Sequence, residues 1–125
     1  MPNRARVPRD QVLAEALDEA GRYDAFKLAE YIDWSKQEMA AFLRKHPSSL
    51  SRESASLAVQ EPLAALAAVV KELLFLVDED QSIARAWLRT PIRVLDEKSP
   101  KEVILAGNLD TVASLLGEIQ SGFVA

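Results

Sequence analysis

The chain has 125 residues and a net charge of −4, with 49% hydrophobic and 27% charged side chains, one histidine and no cysteine. That balance suits one compact globular unit or two very small ones, with a core modest enough for a partner subunit to cover apolar surface. Disulfides, thiolate catalysis and cysteine-based zinc sites are excluded, and a reducing cytoplasm agrees with that. The longest apolar run, "PLAALAAVV" at 62–70, is too short to span a bilayer. Residues 1–20 carry interspersed charges and no apolar signal core. The expected location is therefore cytoplasmic, with no membrane contact.

Taken in order, the elements read as helix after helix, with no alternating strand pattern. Pro8 suits a first helical turn, and Val12, Leu13, Ala16, Leu17 and Ala20 predict one apolar face ending at Gly21. Asp24 to Ile32 forms a second helix on Phe26, Leu28, Ala29 and Ile32. Ser35 and Glu38 have capping-box spacing and open a third, with Met39, Ala40, Phe42 and Leu43 as its buried stripe. A serine at 48 or 49 caps a fourth, polar helix to about residue 57.

Pro62 to Val77 then predicts a helix apolar nearly all round, with only Lys71 and Glu72 charged. Such a helix is central to the core and lends its outer face to a second subunit. "DED" at 78–80 reads as a stop and a new N-cap, and "DQSIARAWL" continues helical to Leu88. Trp87 is expected to plug the corner before Pro91. Thr90–Pro91 opens a short helix. Ser99–Pro100–Lys101–Glu102 opens another with a capping box, closed by Gly107. Asn108 caps the last, amphipathic on Leu109, Val112, Leu115, Leu116 and Ile119 and stopped at Gly122. Gly117, inside it, leaves room for close approach of another backbone. Phe123, Val124 and Ala125 follow the stop as an apolar tail.

Charge is uneven. Residues 1–60 are neutral overall, whereas 61–125 carry −4. Within the first half, "RKHPSSLSR" at 44–52 has three basic residues and no acid. It sits in a helix–turn–helix candidate over 24–57. Ser48, Ser49, Ser51 and Arg52 could meet base edges and phosphates in the major groove, with Arg44 and Lys45 beside the backbone. A solvated polar helix in a small bundle is the alternative. "NRARVPR" near the start is a second basic stretch, read as a solubilising arm. Arg85, Arg89 and Arg93 lie at i, i+4 spacing, which the Thr90–Pro91 break is expected to splay. No phosphate loop, nucleophile–histidine pair or metal-ligand spacing is present, so catalysis, cofactors and metals are not expected.

The stretch "WLRTPIRVLDEKSPKEVILAGNLDTVASLLGEIQSGFVA" resembles the C-terminal toxin-binding domain of Xre/MbcA/ParS-type antitoxins. The match lies on Trp87, Leu88, Thr90, Pro91, Leu95, Pro100, Glu102, Gly107, Val112, Leu115, Leu116 and Gly122. The family pattern often has Asn after the first proline and glycine between the leucine and second proline. Here Ile92 and "DEKS" stand in those places.

The resemblance implies an all-α protein. A helix–turn–helix-like bundle over 1–60 would precede a toxin-binding and dimerisation domain over 61–125. It further implies a non-enzymatic, cytoplasmic antitoxin that self-associates as a homodimer. Such a protein blocks the NAD pocket of a RES-domain toxin and, with the toxin, binds operator DNA. The toxin-facing residues are then Arg89, Arg93, Gly122, Phe123, Val124 and Ala125, the tail entering the pocket. The competing reading is a dimeric helix–turn–helix repressor without toxin-neutralising activity.

Overall fold

The computed structural model describes residues 11–122. Those residues form seven α-helices and no strand, joined by short 3₁₀ turns. The all-α expectation therefore holds.

Helix α1 (Ala25–Ile32) starts where the Asp24 carboxylate accepts the Phe26 and Lys27 amides, both at 3.0 Å. Helix α2 (Lys36–Leu43) opens with the full Ser35–Glu38 capping box. The four-residue α3 (Leu50–Glu53) follows a 3₁₀ turn over Pro47–Ser49. Helix α4 (Leu57–Leu76) is the longest at 20 residues. Helix α5 (Gln81–Arg89) is capped by Asp80, whose carboxylate accepts the Ile83 amide at 3.1 Å. Helix α6 (Pro100–Leu105) carries the second capping box, Ser99 with Glu102. Helix α7 (Leu109–Ser121) ends at Gly122, left-handed at φ 82°.

The core is organised by α4. Val59, Leu63, Leu66, Ala67 and Val70 are fully buried along it, in one cluster with Leu28 and Met39 from α1 and α2 and Val112 and Leu116 from α7. That cluster draws on both sides of residue 60, and α4 itself runs through it. Trp34 is buried, edge-on to Phe42 at 6.1 Å, and its indole N–H is enclosed without a hydrogen-bond partner.

Five local expectations are corrected. No α-helix runs over residues 11–20. Leu13 is left-handed at φ 66°, Ala14–Ala16 is a 3₁₀ turn, and Leu17 pairs with Tyr23 in an isolated bridge. The Asp18 carboxylate accepts the Ala20 and Arg22 amides at 2.9 Å, giving the backbone a closed loop in place of helix. This path still buries Leu13 and Ala16.

The helix expected over 48–57 is reduced to the 3₁₀ turn and α3. Only Leu50 in it is buried, so little packing opposes the local bonds serines prefer. Its cap is also different: His46 Nδ1 accepts the Ser48 amide at 3.2 Å.

The helix expected to open at Pro62 instead starts at Leu57 and holds Pro62 internally. Burial of Val59 extends the helix backwards at the cost of the missing Pro62 N–H. Finally, Thr90 does not cap a helix. Its hydroxyl donates back to the Ala86 carbonyl at 2.6 Å, and residues 93–95 form a 3₁₀ turn. Nor does Gly117 mark a close approach, since an added Cβ would meet nothing within 4 Å.

The turn after Leu95 carries backbone strain. Asp96 (φ 57°) and Glu97 (φ 62°) are both left-handed, and the Lys98 amide donates to the Leu95 carbonyl at 3.1 Å. Two successive left-handed residues make a turn that favours glycine at the second place. Glu97 therefore occupies a backbone conformation that favours glycine. Replacing it (Glu97→Gly) should stabilise the fold by up to about 1 kcal/mol, the relieved strain less glycine's entropy in the unfolded chain. A lower urea midpoint for the variant would refute this.

Candidate functional site

The C-terminal half presents a surface built on α5 and the turn that follows it. Ile83 and Trp87 are one helical turn apart, and Ile83 is 51% exposed. Trp87 is half-buried against the core, so it lines the corner without filling it. Val94 is 59% exposed beyond the turn. Tryptophan and arginine are enriched among the side chains that carry binding energy at protein interfaces.

The three arginines are splayed, as the Thr90–Pro91 break implies, and differ in commitment. Arg85 reaches the C-terminal carbonyls of α1, with Nε to Tyr31 O at 2.8 Å and Nη2 to Glu30 O at 2.7 Å. Gln81 joins it on Tyr31 O at 3.1 Å. These bonds fall on the last-turn carbonyls of α1, at the negative end of its dipole, with Glu30 O also accepting the Asp33 amide at 3.2 Å. Burial, with Glu15 and Glu79 nearby, pushes the Tyr31 phenol above its ordinary pKa against the pull of Arg85. Arg89 lies 3.8 Å from Asp33, with both side chains well exposed. Arg93 is 4.0 Å from Glu97, and its side chain is 94% exposed. Pairs this loose contribute little to stability and can exchange for a partner's carboxylate at small cost. Gly122 stands at the end of α7. Phe123, Val124 and Ala125 lie outside the described residues.

The residues read as DNA-facing lie on the α2–α3 connection. Arg44 closes α2 at φ 56° and is exposed, as are Ser51 and Arg52. Ser49 is half-buried. Lys45 is drawn into an ion pair with Glu53 at 3.0 Å, and the Ser48 hydroxyl bonds His46 Nδ1 at 2.7 Å. These groups lie on the end of α2, a turn and a four-residue helix rather than on a long reading helix.

Sequence reasoning missed the contacts that join the halves. Besides Arg85, Lys101 at the start of α6 pairs with Glu38 of the α2 capping box. Burial alone would raise the Glu38 pKa, but hydrogen bonds from Lys101 and Ser35 hold it below its ordinary 4.5. A lowered carboxylate stabilises above its unfolded pKa, and loses that contribution as pH falls through the folded value. The wild type's advantage over Lys101→Met in urea midpoint should therefore be full at neutral pH and shrink below pH 4.5. A constant difference down to strongly acid pH would contradict this.

Among the described residues no group of His, Asp or Glu could hold a metal, and no helix is long and apolar enough to cross a membrane. What the C-terminal half offers is a helical protein-binding domain, hung on α4 and exposing aromatic, aliphatic and arginine side chains. Residues 65–122, from within α4 through α7, match the family described as antitoxin Xre/MbcA/ParS C-terminal toxin-binding domain. The match includes the residues on which the sequence resemblance lies. No curated protein and no solved structure matches the chain. A match to a toxin-binding domain supports an antitoxin role and implies a toxin as partner.

Proposed function

We propose that the chain neutralises a RES-domain toxin by covering the entrance of its NAD pocket. The observation that carries this is the toxin-binding domain at 65–122, on which Arg89 and Arg93 stand exposed with only loose acidic neighbours. In this reading those arginines pair with acidic groups at the pocket rim. The tail beyond Gly122, with Phe123, Val124 and Ala125, enters the pocket. Three extended residues reach roughly 10 Å, enough to bury Phe123 below a rim. Burying Phe123 and Val124 would contribute about 1.5–3 kcal/mol each before ordering costs.

The protein is proposed to act in the cytoplasm as a homodimer. Functionally, residues 1–60 serve operator binding and 61–125 serve the toxin. DNA contact is assigned to Arg44, Lys45, Ser48, Ser49, Ser51 and Arg52. Arg44, Ser48, Ser51 and Arg52, the exposed members, support it.

Co-purification with the toxin from the native locus, followed by an NAD-consumption assay, is the test. Full inhibition by a chain lacking residues 123–125 removes the tail from the mechanism. Full inhibition by Arg89→Glu/Arg93→Glu removes the arginines. For the operator, an unchanged mobility shift with Arg52→Ala removes Arg52 from the reading surface.

A further inference from the structure

Helix α4 is 20 residues long, about 30 Å. Its inner side is the centre of the core. Along its outer side stand Leu57, Glu61, Ala64, Ala68, Lys71 and Phe75. They recur at alternating spacings of four and three residues, the seam of a helix that pairs with another helix. Leu57 is 72% and Phe75 40% exposed. Glu61, Ala64 and Ala68 are exposed as well, and Lys71 is half-buried. A large apolar side chain such as Leu57, at the end of a small-residue face, is costly to leave in water.

The order of residues along this seam is its own mirror image. Ala64 and Ala68 lie two residues on either side of position 66, Glu61 and Lys71 five, and Leu57 and Phe75 nine. Each residue therefore has a complementary residue at the same distance across the centre: alanine with alanine, acid with base, leucine with phenylalanine. That is the requirement of an isologous two-fold contact, in which residue i meets j and j meets i. We propose that the outer face of α4 is the interface between two copies of this chain, packed antiparallel about an axis beside position 66.

In that arrangement Glu61 faces the partner's Lys71, and Leu57 faces the partner's Phe75. The alanines meet at the crossing and let the helix axes approach to roughly 8 Å. A parallel pairing would set Glu61 on Glu61 and Lys71 on Lys71, so the charges select the antiparallel one. The Lys71 ammonium lies 5.8 Å from the Tyr23 ring centroid, held at the edge of the face by its long stem. Beside the seam, Ala65, Ala68 and Val69 share a shallow apolar groove of about 270 Å³ with Leu109 and Ala113 of α7. The low surface therefore continues past the helix itself, leaving clearance for a second chain.

This inference rests on the self-association in the proposed function and gives it a location and a symmetry. The test is the solution mass of the full chain by sedimentation, with NAD consumption by the toxin measured on the same samples. The wild type should run at twice the 13.8 kDa chain mass. Glu61→Lys and Lys71→Glu should each weaken dimerisation more than about tenfold, through like charges facing across the axis. The double exchange should restore it. Ala68→Arg should give a monomer with unchanged helical circular dichroism, because Ala68 lies outside the core. A wild-type dimer that persists in Ala68→Arg, or a double exchange that fails to recover, overturns the interface and leaves self-association standing. A monomeric wild type overturns both. Loss of inhibition without any change in mass bears only on the antitoxin reading, so the two failures are distinguishable.

Discussion

Replacing Leu66 with alanine should destabilise the protein by about 2–5 kcal/mol. Leu66 is fully buried near the middle of α4. Helices α2, α5 and α7 all pack against that helix, so neighbours held in place on several sides have limited room to collapse into the void. The lost transfer energy and the unfilled cavity then add. A domain of this size has about 5–15 kcal/mol to lose, so the variant should unfold at a clearly lower urea concentration. Ala64→Gly, on the exposed side of the same helix, is the control. It should cost only about 1 kcal/mol, from helix propensity. Similar midpoints for the two variants would mean that α4 is not the centre of the core.

The second large effect is expected at Arg85. Its guanidinium donates to Tyr31 O and Glu30 O, 54 and 55 residues earlier in the chain. Arg85→Ala removes both charge-assisted bonds and returns the end of α1 to solvent. Hydrogen bonds to charged groups contribute roughly 1.5–3 kcal/mol when intact. Arg85 is half-exposed, so water recovers part of this and a loss near 1.5 kcal/mol is expected. Arg85→Lys should recover only a fraction, because an ammonium cannot address two carbonyls with a planar fork. The informative measurement is amide hydrogen exchange. Protection in α1 should fall while α7, which has no part in this clamp, keeps its own. Uniform loss across the chain would show that Arg85 acts on global stability alone.

The helix termini legible in the sequence share one property: donor and acceptor lie within a few residues of each other. Ser35 with Glu38, Ser99 with Glu102, Asp80 with Ile83, and Gly122 after α7 are all local devices. The toxin-binding segment was legible for a related reason. Its Trp-Leu, proline and glycine landmarks are fixed by local turns and caps, so their spacing persists in the linear sequence. Residues 11–20 and 48–57 have helical patterns too, yet form turns. Asp18 and His46 supply competing local bonds there, and burial of Leu13, Ala16 and Leu50 does not require a helix.

What the sequence determined by itself is the all-α class, the caps of α2, α5 and α6, the apolar character of α4 and the family resemblance of the C-terminal segment. These follow from periodicity and from hydrogen bonds closed over three or four positions. Only the tertiary structure decided that Arg85 clamps α1, that Lys101 holds Glu38, and that Arg89 and Arg93 stay at the surface. It also decided which face of α4 remains outside. Those outcomes depend on elements many tens of residues apart meeting in space, and a charge pattern along one chain does not say which of its cations will find a partner.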